Sequence, residues 1–144
     1  MGGRRGGRSG ALTPVFLAAA AAFFAQIPAS PLAVSASSPA VAADIERCDA
    51  MLLPRLERYE RSRSAANARS ALRAARAARE SLERLSVPSP LEDARREELT
   101  FFNHVIIGIS GWLEAPGRPG ARQALDAILR RGRAHRERAV SGRR

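Results

Sequence analysis

Residues 89–115 combine the clearest helix-start pattern in the chain with its densest apolar cluster outside the N-terminus. Ser89 is followed by Pro90 and, three positions after the serine, by Glu92, which is the pattern of a capping box with proline at the first helical position. Apolar residues then recur at spacings of three and four up to Trp112, which is the period of a helix. Prolines and glycines at 116–120 end the segment. The stretch predicts a central helix on which the remaining helices pack.

The second half of this helix carries more apolar residues than one face holds, and we interpret it as buried between several neighbours. A dimer interface is the alternative, with contact residues Phe101, Phe102, Ile106 and Trp112. A β-strand over 105–109 is a third interpretation, because β-branched residues favour strands. Gly108 and Gly111 weaken a helix, but they also allow another helix to approach closely.

The N-terminus has the three parts of a secretory signal peptide. Three arginines within the first eight residues form a basic start, an apolar run follows over 11–25, and small residues precede the first acidic residue. Residues 1–43 are therefore predicted to be a cleaved leader. Cleavage is expected after Ala42 or Ala43, with Ala36 as a third possibility. An uncleaved membrane anchor is the alternative, which prolines in its second half disfavour.

Such a leader predicts a periplasmic or secreted protein, with an organelle lumen or membrane attachment through the N-terminus as alternatives. Residues 44–144 are enough for one modest domain. The chain has one cysteine, Cys48, which excludes an internal disulfide framework. Cys48 falls on a helical apolar stripe with Ile45, Leu52, Leu56 and Tyr59, so we expect it to pack in the core.

Helical periodicity extends over three further segments, at about 44–61, 64–86 and 122–139. Pro54 predicts either a kink in the first helix or two helical pieces. The boundary between the first and second helices near 62–64 is weak, which leaves one long bent helix possible.

The predicted fold is all-α: a small up-down four-helix bundle, with three to four helices, after an N-terminal signal peptide. The bundle domain is placed at 44–139, followed by a basic disordered tail at 140–144. Beyond Leu129 the fourth helix is expected to be exposed to solvent.

Charge is distributed unevenly along the chain, whose formal net charge is +10. Residues 44–117 carry 12 arginines and 12 acids, whereas 118–144 carry nine arginines and two acids. This basic end predicts contact with an acidic protein partner or an anionic membrane surface, through Arg130, Arg131, Arg133, Arg136 and Arg138. A solvated tail is the alternative. Nucleic acid is disfavoured by export and by the lack of aromatic residues for stacking in that tail.

The sequence contains no strong catalytic motif, so we predict neither an enzyme nor a bound cofactor. His104 and His135 are weak metal or haem candidates, because a helical hairpin about residue 118 places them about one turn out of register. Glu97 and Glu98 follow Arg95 and Arg96 at helical spacing and are interpreted as paired surface charges.

Together these features predict a small exported helical bundle that acts by binding, as an accessory or structural subunit of a cell envelope or an organelle lumen. A protein partner or self-association is expected through the apolar helix face and the basic end. The alternative function is a haem or metal carrier that uses His104 and His135.

Overall fold

The computed structural model describes residues 38–144. Within that range the chain forms four α-helices and no β-strand: α1 (Ser38–Ser62), α2 (Ala65–Arg84), α3 (Glu92–Glu114) and α4 (Ala121–Gly142). Each helix packs against the next one in the chain, and α1 also meets α4 through long side chains. The predicted all-α up-down bundle is confirmed. The predicted signal peptide lies mostly outside the described residues.

Helix α1 begins at Ser38, six residues before its expected start, and continues through Pro54 as one helix. The apolar stripe predicted from the sequence is buried along its whole length, including Cys48. Val41 in the additional first turns is fully buried as well. The domain boundary expected at residue 44 therefore falls inside a helix that contributes to the core.

A short junction separates α1 from α2, so the two are not one long helix. Arg63 adopts a left-handed conformation, with φ of 51°, and its N–H donates to the Tyr59 carbonyl at 2.6 Å. Ser64 then caps α2 by accepting from the Asn67 N–H at 3.2 Å. This pairing of a left-handed stop with a serine cap is what turns the chain back on itself.

Helix α2 presents an alanine-rich face to both α1 and α3. Its buried residues are Ala68, Ala71, Ala74, Ala75, Ala78 and Leu82. Because alanine buries little area, this face gains stability mainly from the close approach of its neighbours.

Helix α3 starts differently from the expected capping box. Residues Ser89–Leu91 form a 3-10 turn in which the Glu92 N–H donates to the Ser89 carbonyl, and no side chain caps either start. The predicted box is wrong because Pro90 closes a tighter turn than the α-helical one that the serine hydroxyl would need. The alternative strand over 105–109 is also excluded, since these residues are helical.

Close contacts at three glycines show the register between α3 and α4. A Cβ on Gly132 would lie 3.0 Å from the Cβ of His104, and one on Gly108 would lie 3.1 Å from Ile128 Cγ2. Gly142 likewise faces Ala94. Each pair is symmetric about residue 118, as a hairpin centred there requires, and the absence of side chains at 108 and 132 lets the two helices approach closely.

The basic end does not form the expected tail. Helix α4 extends to Gly142, Ala139 is buried, and the Arg143 side chain is only 5% exposed. The prediction of a disordered segment at 140–144 is therefore wrong for its first four residues. The reason is that Arg143 pairs with acids on α1 and α3, which draws the end of α4 onto the bundle.

Candidate functional site

Helices α3 and α4 bring the two histidines of the chain together. The ring centres of His104 and His135 lie 5.1 Å apart, and the ring planes are inclined by 29°. Both residues are half-buried. They come from different helices and are 31 positions apart in the chain, so the pair exists only in the folded hairpin.

Each imidazole is held by a hydrogen bond at Nδ1. His104 Nδ1 lies 2.8 Å from the Thr100 carbonyl oxygen, and His135 Nδ1 lies 2.7 Å from Glu97 Oε2. A carbonyl oxygen only accepts hydrogen bonds, which assigns the hydrogen of His104 to Nδ1 and its lone pair to Nε2. His135 Nδ1 lies between the Glu97 carboxylate, which accepts, and the Arg138 guanidinium, which donates.

Glu97 links His135 to Arg138. Its Oε2 also accepts from Arg138 Nε at 3.0 Å, and Arg138 Nη2 lies 2.6 Å from His135 Nδ1. The hydrogen bond from His135 is the main cause that lowers the pKa of Glu97, and the bond from Arg138 acts in the same direction. The carboxylate is thus ionised at neutral pH and holds the imidazole and the guanidinium together.

The five arginines of the basic end are divided between two roles. Arg133 pairs with Glu60, Arg136 lies 3.4 Å from Asp49, and Arg138 contacts Glu97. These three tie α4 to α1 and α3. Arg130 and Arg131 are exposed and form no ion pair within residues 38–144, so they are the members of the set that remain available to a partner.

A buried cluster of charged groups joins α1, α3 and α4. Asp49 is 5% exposed and Glu98 is fully buried. Arg143 Nη2 lies 3.2 Å from Asp49 Oδ2 and 3.5 Å from Glu98 Oε2. The interpretation of Glu98 as a surface charge paired with Arg95 or Arg96 is wrong, because its side chain points into the bundle, where the ion-pair partner is Arg143.

Burial raises the pKa of Glu98 to about 9, with the adjacent Asp49 carboxyl as the next cause, while Arg143 and Arg136 oppose the shift. Without a proton on this pair, Asp49 Oδ1 and both Glu98 oxygens lack a hydrogen-bond donor among the described residues. A proton on Glu98 that is donated to Asp49 supplies one. Two carboxyls and the Arg143 guanidinium are then held in the core with one acid neutral, and the partly exposed Arg136 lies at the edge of the cluster.

The apolar residues expected at an interface lie mostly inside the bundle. Phe101 and Phe102 are buried and are not available as contact residues. Ile106 and Trp112 are half-buried, and the Trp112 ring packs on Tyr59 with centroids 5.6 Å apart. The interpretation of a helix buried between neighbours therefore holds for the first half of the cluster, because α1, α2 and α4 cover it.

Ile107 is the exception, and it is not among the contact residues that the sequence predicts. It is 64% exposed, more than any other large apolar residue that the structure describes. Beside it, α3 and α4 form an open groove of about 530 Å³ lined by Gly108, Gly111, Trp112, Ala124, Ile128 and neighbouring residues. The sequence does contain an apolar cluster too wide for one face, but its exposed member depends on the direction from which α4 packs.

None of the helices within residues 38–144 is apolar over a length that could span a membrane. In the same range, no three His, Cys, Asp or Glu side chains converge as ligands for one metal ion. Comparison of the chain with protein-family models, curated proteins and solved structures gives no match.

Proposed function

We propose that this protein is exported and acts by binding a protein partner, as an accessory or structural subunit of a cell envelope or an organelle lumen. The observation that carries the proposal is the exposure of Ile107 beside the α3–α4 groove. Burial of an isoleucine side chain contributes about 2 kcal/mol. A side chain with a contribution of this size is comparable in binding free energy to the few residues that dominate protein–protein interfaces.

Charge indicates the chemistry of the partner. Arg118 lines the groove, and Arg130 and Arg131 are exposed on α4. None of the three is neutralised by an ion pair within the described range. An acidic protein segment with one large apolar side chain would place that side chain against Ile107 and its carboxylates near Arg118 at the groove. Arg131 lies further along α4, whereas Arg130 faces the α1 side.

Site-specific crosslinking in the producing cell tests this proposal, because it captures a partner of any identity. A photoreactive amino acid replaces Ile107 in one strain and the exposed Arg76 on α2 in a matched strain. We expect one discrete protein adduct from position 107 and none from position 76. The adduct should weaken when Arg118 and Arg131 are both changed to glutamate.

Four results would contradict the proposal or one part of it. Equal adducts from both positions would indicate random collision, and no adduct from position 107 would remove the groove as a contact surface. Adducts of Ile107 to lipid would replace the protein partner with an anionic membrane. A chain recovered with its leader intact in the cytosol would refute export while leaving the groove to be tested with purified partners.

The second candidate function, a haem or metal carrier, is favoured by the meeting of His104 and His135. Haem does not fit this geometry. Two histidines that ligate one haem iron lie on opposite faces of the macrocycle, whereas these ring centres are 5.1 Å apart and leave no space for a macrocycle between them. A metal ion held by both rings on one side has no such requirement.

A further inference from the structure

We infer that His104 and His135 form a two-histidine site for a divalent transition-metal ion of the class that imidazole favours, such as Zn²⁺, Cu²⁺ or Ni²⁺. The inference deepens the carrier alternative and does not depend on partner binding at the α3–α4 groove. It rests on the separation of the rings, on the hydrogen bonds that orient them and on their partial exposure.

The ring separation matches that of two imidazoles that share one metal ion. A metal bound to Nε2 at 2.0–2.1 Å lies roughly 3.2 Å from the centre of each ring, so ligands at a tetrahedral angle have ring centres roughly 5.2 Å apart. The observed distance between the ring centres is 5.1 Å. The rings are stacked, so their side chains must turn for both Nε2 atoms to face one ion.

The hydrogen bonds at Nδ1 supply the outer contacts that metal-binding histidines usually have. His104 donates to a backbone carbonyl and His135 to a carboxylate, and these are the two acceptors most often found behind such ligands. The His104 bond places the lone pair on Nε2, the atom required for ligation, and His135 presents the same atom when its Nδ1 donates to Glu97.

Local charge sets the strength of the site. The Glu97 carboxylate favours a cation, whereas the neighbouring Arg138 guanidinium opposes it. Because only two protein ligands converge in the described range, water or a small anion must complete the coordination. These features describe an open site that exchanges its metal, which suits delivery better than permanent structural binding.

Calorimetric titration of the purified chain with Zn²⁺ at pH 7.5 tests the inference. We expect one ion per chain, and at least a tenfold loss of affinity in His104→Ala and in His135→Ala. Glu97→Gln should weaken binding about tenfold, since outer contacts of this kind contribute 10–100-fold. Arg138→Gln should strengthen binding, and Cys48→Ser, a matched change at a buried thiol, should leave it unaltered.

An NMR experiment on the unaltered chain tests the same inference even if a histidine variant fails to fold. The chain has two histidines only, so substoichiometric Cu²⁺ should broaden the imidazole C–H proton signals of both together in the NMR spectrum. Broadening of one ring alone would overturn the shared site, and so would equal Zn²⁺ affinity in the folded histidine variants. Loss of Zn²⁺ binding in Cys48→Ser would assign the ion to the thiol instead.

Discussion

Replacement of Glu98 by glutamine tests the protonation state of the buried acid pair directly. Glutamine keeps the shape of a protonated glutamate and offers an N–H in place of the O–H that Glu98 donates to Asp49. The carboxyl is fully buried, and its pKa is raised from 4.5 to about 9, mainly by desolvation and next by Asp49. At pH 7 the two side chains should therefore be nearly equivalent in the folded protein.

The pKa of Glu98 sets both the sign and the size of the effect. Between pH 4.5 and about 9 the folded state holds a proton on Glu98 that the unfolded state has released. Folding takes up that proton, so the free energy of unfolding falls as pH rises, by about 1.4 kcal/mol per pH unit for one group. The loss is about 2.7 kcal/mol from pH 6 to pH 8, and it ends once the folded carboxyl also ionises above pH 9.

Urea unfolding of the wild type and of Glu98→Gln at pH 6 and pH 8 measures this slope. Titrating groups other than Glu98 are common to both proteins, so the difference between the two slopes isolates Glu98. The charged groups that face it are Asp49, Arg136 and Arg143, and they are unchanged in the variant. We expect the variant to become more stable relative to the wild type by about 2.7 kcal/mol between the two pH values. Equal slopes would show that Glu98 is ionised in the folded core and would refute the reasoning.

Three further predictions concern the backbone and the ends of the bundle. Gly132→Ala should lower the free energy of unfolding by about 1 kcal/mol, because the added Cβ meets the His104 Cβ at 3.0 Å. Gly111→Ala adds its Cβ to open space and should raise the free energy of unfolding by up to about 1 kcal/mol. Equal effects of the two changes in urea unfolding would show that α3 and α4 separate freely. A chain that starts at Asp44 loses the buried Val41 and should be about 2 kcal/mol less stable than one that starts at residue 37. Equal melting temperatures of the two chains would place the first turn of α1 outside the core. Arg63→Ala and Arg63→Gly both lose the ion pair with Asp126 of α4, but only glycine adopts the φ of 51° without strain. The alanine variant should therefore be less stable than the glycine variant by about 1 kcal/mol in thermal unfolding. The reverse order would contradict the left-handed conformation at residue 63.

The helices could be predicted because the sequence contains strong local signals for them. Proline and glycine clusters at 87–90 and 116–120 separate the last three segments, and the apolar stripe of α1 follows one helical face without interruption. The register of α3 on α4 also followed from the hairpin centre alone. The local sequence predicts these helices reliably because helix-breaking residues and helical spacing both affect the backbone only within a few positions.

The buried acids and the true exposed anchor could not be predicted in the same way. Glu98 has arginines close by in the sequence, but its actual neighbours are Asp49 and Arg143, which lie 49 and 45 positions away in the chain. Ile107 is exposed only because α4 packs on one side of it. Such properties depend on which helices meet, and a single helical period contains no information about that.

Because helix α1 begins at Ser38, the position at which the predicted leader is cleaved decides how much of this helix remains. Cleavage after Ala42 or Ala43 would remove Val41 from the core, whereas cleavage after Ala36 would leave all of α1 intact. We therefore expect the mature chain to start at Ser37 if export occurs. The mass of the recovered protein distinguishes the three sites.

The position of Arg143 in the chain affects the order in which the bundle can be completed. Asp49 is synthesised early, yet one of the two arginines that neutralise it arrives some ninety residues later. Until then the growing chain would have to bury acids without this partner, which is costly. An incompletely synthesised chain thus has reason to stay open. A polypeptide that crosses a membrane in an unfolded state would benefit from that delay. The last turn of α4 would have to cross the membrane before the core could form.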